Sequence, residues 1–269
     1  MKHNKVLDNL CLTLVFIFLF LPILIIILFS FNTSKLNIVF EGFTLSWYKK
    51  LFDNPMLLEA LFNTLIIGAV STVVSTIIGT ISAYGLKKYD FKGKKLINEL
   101  LYIPVIIPEI VLGISLLCIY SLMKIELGMF TLLLSHIAFS IPFVIINVNS
   151  SLDTMNPNLE QAAADLGASK LKTFFNIVIP SLIPGILSGA QLAFTLSLDD
   201  VVISYFTAGP ESNTLPLQIY SMVKTGVTPD VNALITIMLI IIFIGLFISM
   251  SLNLRKLRKE GNISWKEKY

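Results

Sequence analysis

Residues able to do chemistry are sparse in this chain, and they gather on one helical face and in one loop. Pro184, Ser188, Gln191, Thr195 and Asp199 follow one another at intervals of 4, 3, 4 and 4 positions. Those intervals place all five on one face of an α-helix. The acidic end is doubled by Asp200, and a third carboxylate, Glu109, follows Pro108 in another apolar stretch. Polar side chains in such surroundings suit the passage of a polar solute, and carboxylates suit a cation better than an anion. With a rise of 1.5 Å per residue, Asp199 lies roughly 22 Å beyond Pro184. Two readings of the stripe are open: a pore lining, or helix packing through small polar residues. Asp199 and Asp200 are open in the same way, as cation contacts or as ordinary helix-ending aspartates.

The second group runs from Asn156 to Ser169 and reads NPNLEQAAADLGAS. Asn156 suits a helix N-cap and Pro157 the first helical position. Glu160 falls in the first turn, where the helix dipole favours it. Gly167 suits a left-handed stop, and Ser169 can cap a second helix running into Ile177-Val178-Ile179-Pro180. The sequence predicts a short, alanine-rich helix of about ten residues. Alanines at successive positions either pack on the chain's own membrane domain or let another protein approach closely; local physics leaves both open.

Other chemistry finds little support. No phosphate-binding loop of the form G-x4-G-K-[ST] is present, so this chain is not expected to hydrolyse ATP. His136, beside Ser135 in an apolar run, is read as a packed, hydrogen-bonded residue. No nucleophile–base pair or metal cluster occurs at a useful spacing, and no nucleic-acid partner is expected. Cys11 and Cys118 both lie in apolar runs, which suggests buried, inert thiols and neither a disulfide framework nor a metal site.

The elements that must position these groups are membrane helices. Of the 269 residues, 55% are hydrophobic and only 14% charged, with a mean hydropathy of +0.82. A water-soluble fold of this size carries nearly twice that charged fraction. Six apolar runs reach the roughly 20 residues that hydrocarbon requires. They lie near Leu10–Phe31, Asn63–Tyr84, Ile97–Met123, Phe130–Asn149, Asn176–Asp199 and Asn232–Leu254. The first follows Lys2 and Lys5 as a signal peptide would. It is too long for one and no cleavage site follows, so it is read as a retained membrane helix.

Sidedness follows from the basic residues. Fifteen of the twenty lysines and arginines fall on the side shared by the N-terminus, the loop with Lys87 to Lys95, the loop with Lys170 and Lys172, and the C-terminus. The positive-inside rule puts that side, with both termini, in the cytoplasm. The Arg255–Lys259 run is read as an anchor for anionic lipid. Between the first two runs, Trp47 and Tyr48 beside Lys49 and Lys50 predict a short interfacial helix. Pro104, Pro108, Pro142, Pro180 and Pro184 interrupt the third, fourth and fifth runs, and each marks a plain kink or a backbone break at a cavity. The expected fold is all-α, a polytopic membrane protein with six transmembrane helices, residues 1–269 forming one domain with a cytoplasmic loop about 151–175.

The loop resembles the EAA loop of the permease subunits of ATP-driven (ABC-type) importers, E-A-A-x3-G-x9-I-x-L-P. Gln161, Ala162, Ala163, Gly167, Ile177, Ile179 and Pro180 fall at that family's spacing. Gln161 stands where the family usually has glutamate, with Glu160 one position earlier, and Ile179 replaces leucine. Three further stretches, Pro108–Leu117, Phe194–Ser204 and Thr214–Val223, resemble the C-type permeases of its polyamine (spermidine/putrescine) branch. The resemblance implies that Glu160, Gln161, Ala162, Ala163 and Gly167 couple to cytoplasmic ATPase subunits. It implies a second homologous permease, an extracytoplasmic polyamine-binding protein, and ATP used by the partners with no cofactor on this chain. Ser188, Gln191, Thr195, Asp199, Asp200 and Glu109 are then candidates for the translocation path. The alternatives are an importer of this type for another small solute, or an ion-coupled secondary transporter, for which inverted repeats are expected and not found.

Overall fold

A computed structural model describes residues 5–35, 39–223, 228–244 and 247. Beyond one isolated antiparallel bridge, Asn32 to Phe43, the regular structure among the described residues is helical. Hydrocarbon leaves backbone groups no partner but each other, and a helix satisfies them within its own segment. The chain divides into two units, Met1–Leu57 with Met222–Tyr269, and Leu58–Ser221.

The first unit contains α1 (Lys5–Phe29), α2 (Ser46–Phe52), the start of α3 (Pro55–Lys88) and the apolar helix Pro229–Ile244. The short helix expected around Trp47 is α2. Trp47 is buried and its indole N–H donates to the Asn32 carbonyl at 2.6 Å, while the Tyr48 hydroxyl meets Ser30 Oγ at 2.8 Å. The Asn54 amide donates to Asp230 Oδ2 at 2.9 Å.

In the second unit α3 continues, followed by α4 (Lys94–Leu101), α5 (Ile103–Ile106), α6 (Glu109–Leu122), α7 (Met129–Thr154), α8 (Asn158–Asp165) and α9 (Lys170–Thr173). A π-helical turn, Phe174–Val178, leads into α10 (Ile179–Asp199), then α11 (Val202–Thr207) and α12 (Leu215–Val223). In that turn the Ile179 N–H bonds the Phe174 carbonyl, five residues back. Pro180 comes next and has no N–H to give, so the extra residue is absorbed where the ordinary ladder fails.

Among the described residues, four helical stretches are long and apolar enough to cross a membrane: Asn9–Phe29, Pro55–Lys88, Met129–Thr154 and Lys170–Asp199. They match the first, second, fourth and fifth expected runs. The third does not form one continuous helix. Lys94–Ile106 and Glu109–Leu122 meet at 112°. Ile107 and Pro108 are both extended, with ψ of 137° and 134°. A proline disfavours helical backbone in the residue before it, so Pro108 opens a full break. The sixth run, Asn232–Leu254, is helical to Ile244, and its last part lies outside the described residues. The Arg255–Lys259 run lies outside them entirely.

The core of this unit is the α7–α10 contact. Val144, Ile145, Val148 and Leu152 of α7 bury against Val178, Leu182 and Ala193, with Ala83 of α3. Small residues let the backbones close. A Cβ on Gly185 would stand 2.6 Å from the Asn147 carbonyl oxygen, and one on Gly189 would stand 3.1 Å from Val144 Cα. Close backbone approach through small residues drives helix association where lipid is as apolar as the side chains. Cys11 and Cys118 are free and exposed, not buried as expected. Helices α1 and α6 leave apolar side chains such as Leu12 and Ile114 exposed, so an apolar position there does not imply a place in the protein core.

Candidate functional site

The polar stripe of α10 is displayed as a continuous face. Leu182, Gly185, Gly189, Ala193 and Ser197 are buried, while Pro184, Ser188, Gln191, Thr195 and Asp199 are all exposed on the chain. The two sets interleave at helical spacing, so burial of one turns the other outward. Thr195 Oγ1 donates back to the Gln191 backbone carbonyl at 3.0 Å, and the Gln191 side chain is exposed. A hydrocarbon exterior penalises such a face, so it requires water, solute or another polar surface.

At its C-terminal end the adjacent aspartates separate. Asp199 is the last helical residue and is exposed. Backbone turns extended at Asp200, whose side chain folds inward to cap α11. Its Oδ1 accepts from the Ile203 N–H at 3.1 Å, and its Oδ2 accepts from the Ser204 N–H and hydroxyl, both at 2.7 Å. Asp200 is 8% exposed. A carboxylate so engaged suits capping better than solute contact.

His136 completes this corner. It is fully buried, with Nδ1 2.7 Å from Ser197 Oγ and Nε2 3.1 Å from Ser204 Oγ. Because the Ser204 hydroxyl donates to Asp200, it must accept from His136, which assigns the proton to Nε2. Nδ1 then accepts from Ser197, and Ser197 accepts from Ser71 at 3.3 Å. The donors run in one direction, Ser71 to Ser197 to His136 to Ser204 to Asp200, through α3, α10, α7 and α11. This agrees with the sequence reading of His136 as packed and hydrogen-bonded, and adds partners that sequence spacing could not name. Glu109 stands apart, exposed at the first position of α6 just past the break. One turn on, Gly113 packs against Phe206 of α11.

The loop helix is α8. The Asn156 side chain accepts from the Asn158 N–H at 3.0 Å, which caps the entry. At the exit Gly167 has φ +78°, the Ala168 N–H bonds the Ala163 carbonyl, and the Gly167 N–H bonds the Ala164 carbonyl. That pair of bonds is the Schellman stop for which a glycine is suited. Ser169 caps α9, accepting from the Lys172 N–H at 3.4 Å. Gln161 and Ala162 are exposed and Ala163 is buried. Glu160 turns the other way, onto α3: the Tyr84 hydroxyl donates to its Oε2 at 2.8 Å, and the Lys88 ammonium pairs with the same oxygen. Lys87 pairs with Asp153 at the end of α7. Sequence reading treated Tyr84 as a span end and the two lysines as topological charges. The one available signal was a basic cluster expected on the same side of the membrane as Asp153 and Glu160.

Residues 75–259 match the family described as binding-protein-dependent transport system inner membrane component. The spermidine/putrescine transport system permease protein PotC of Shigella flexneri is 41% identical over 232 residues, covering 86% of this chain and 88% of the relative. The putrescine transport system permease protein PotI of Escherichia coli strain K12 is 38% identical over 218 residues, 78% of each. Among solved structures, a bacterial ABC transporter involved in import of the acidic polysaccharide alginate superposes with a TM-score of 0.69. That match covers 92% of this chain and 97% of that one, and at 15% identity it bears on the fold alone. The family match spans α8, its glycine stop and the polar face of α10, and with relatives near 40% identity over most of the chain it places this multi-pass helical membrane protein among the binding-protein-dependent transport system inner membrane components.

Proposed function

We propose that the chain is one permease half of an ATP-driven importer of polyamines in the inner membrane, with six spans and both termini in the cytoplasm. The observation that carries this is the exposed face Ser188–Gln191–Thr195–Asp199, set on a helix whose other face is packed. A second, homologous permease supplies the facing wall. Asp199 at the outer end attracts an ammonium group, and the hydroxyls and amide below it replace part of the water lost. The solute class is supported by relatives whose names specify spermidine and putrescine.

In this reading an extracytoplasmic binding protein delivers the solute, in keeping with the family's description. Cytoplasmic ATPase subunits hydrolyse ATP, and this chain binds no cofactor. α8 docks in a cleft of the ATPase through Gln161, Ala162 and the turn at Gly167. Closure of the ATPase pair carries α8 with it, the spans rock, and the path opens outward; hydrolysis resets it. The test is energised uptake of labelled spermidine by cells with and without this chain, the other subunits being present. Loss on deletion supports the proposal. Unchanged uptake in cells lacking any redundant importer removes the polyamine assignment and points to another small solute. Uptake driven by an ion gradient with no ATPase partner would indicate a secondary transporter instead.

A further inference from the structure

We infer that Tyr84 and Lys88 clamp α8 to the cytoplasmic end of α3, so that displacement of α8 passes directly into the membrane helices of this chain. The inference rests on the reading of α8 as the ATPase-docking helix. That helix has little core of its own, with Ala163 its one buried residue. It therefore needs a tether to move anything but itself.

The tether is two side chains meeting on one carboxylate oxygen of a third. Glu160 Oε2 accepts from the Tyr84 hydroxyl at 2.8 Å and pairs with Lys88. Lys88 also donates to the Tyr84 oxygen and lies 4.9 Å from the centre of its ring. The Tyr84 ring packs 5.0 Å from Phe174, at the start of the π turn that opens into α10. One tyrosine thus touches the coupling helix by its hydroxyl and the approach to the path helix by its ring.

An exposed ion pair alone contributes little. Here the side chains of Lys88 and Glu160 are only 33% and 22% exposed, and the phenol that shares the oxygen is fixed by ring packing. The clamp also gives Glu160 a role distinct from its neighbour. One position earlier than the family's glutamate, it faces α3, while Gln161 is exposed, as are Asn158 and Asp165 at the ends of α8. Tyr84 and Lys88 are positioning residues: they act through Glu160 and touch neither solute nor nucleotide.

The experiment reconstitutes the whole importer in proteoliposomes and reads solute moved per ATP hydrolysed, together with the ATPase subunits retained. Lys88→Glu and Glu160→Lys are each expected to lower the ratio about three- to tenfold, with the ATPase still bound. The swap Lys88→Glu/Glu160→Lys restores the opposite charges and is expected to return the ratio to within about twofold. Tyr84→Phe, which keeps the ring, is expected to fall in between. Should a charge reversal block assembly, Lys88→Gln and Tyr84→Phe carry the test in the same direction. A ratio unchanged in the single variants, or a swap that fails to recover it, overturns the clamp. A wild-type complex that retains no ATPase subunit overturns the docking reading of α8, a separately visible result.

Discussion

Asp199 and Asp200 are adjacent in sequence, yet opposite outcomes are expected on changing them. Asp199→Asn leaves an exposed side chain of the same size and removes its charge. If Asp199 draws in the ammonium group, KM for spermidine should rise about tenfold at unchanged chain abundance, the effect of roughly 1.4 kcal/mol of lost attraction. Transport kinetics in vesicles check this, and an unaltered KM would remove Asp199 from the path. Asp200→Asn acts on a buried cap that accepts three hydrogen bonds. A loss of about 1–2 kcal/mol is expected, read as a lower melting temperature of the detergent-purified chain. His136→Leu should destabilise by about 3 kcal/mol, since it leaves the buried Ser197 hydroxyl without its acceptor and the buried Ser204 oxygen without its donor. The sequence placed both aspartates at the outer end of the stripe and His136 inside an apolar run. It did not separate the pair, because the helix ends between them and that ending depends on how α11 packs, not on local propensity.

At the scale of elements, the α7–α10 pair decides which side of α10 is displayed. Gly185→Ala places a methyl 2.6 Å from the Asn147 carbonyl oxygen, a backbone atom that cannot rotate away. Forcing the helices apart should cost at least 2 kcal/mol, on the order of overpacking penalties elsewhere. Ser188→Ala, three residues on but on the exposed face, should leave stability unchanged. Paired thermal melts decide the matter: equal losses at both positions would mean that α10 is rotated from the orientation described here. The polar interval pattern was legible because few polar residues occur in this helix. The glycine face was not, since glycine and alanine are unremarkable in an apolar stretch until a partner backbone is known. The break at Ile107–Pro108 was legible as a kink and not as a 112° turn, for a proline fixes where a helix yields but not by how much.

For the whole molecule, hydropathy marks six apolar runs, four of which form long apolar helices among the described residues, while the surroundings of each run were not readable from it. α1 shows the reason: the Asn9–Phe29 stretch has a mean hydropathy of 3.2 and none of its residues is buried. A strongly apolar, unburied stretch suits lipid and a partner subunit equally well. Sidedness is an expectation drawn from the basic residues. Basic residues cluster on the side of α8, and α3 at 34 residues spans roughly 50 Å, well beyond the roughly 30 Å of hydrocarbon. Its end at Tyr84–Lys88 can therefore stand in water beside α8, as the clamp demands. The topology predicts that, in a Cys11→Ser/Cys118→Ser background, a cysteine at Lys92 or Gln161 reacts with a membrane-impermeant thiol reagent only in inside-out vesicles. A cysteine at Glu126 or Glu211, in the loops after α6 and α11, should react in intact spheroplasts. Labelling of Gln161 and Glu211 from the same side would break the topology, and with it the assignment of Asp199 to the outer mouth. Labelling from opposite sides, with Gln161 protected when the ATPase is present, would join the two ends of the molecule to the two partners proposed for them.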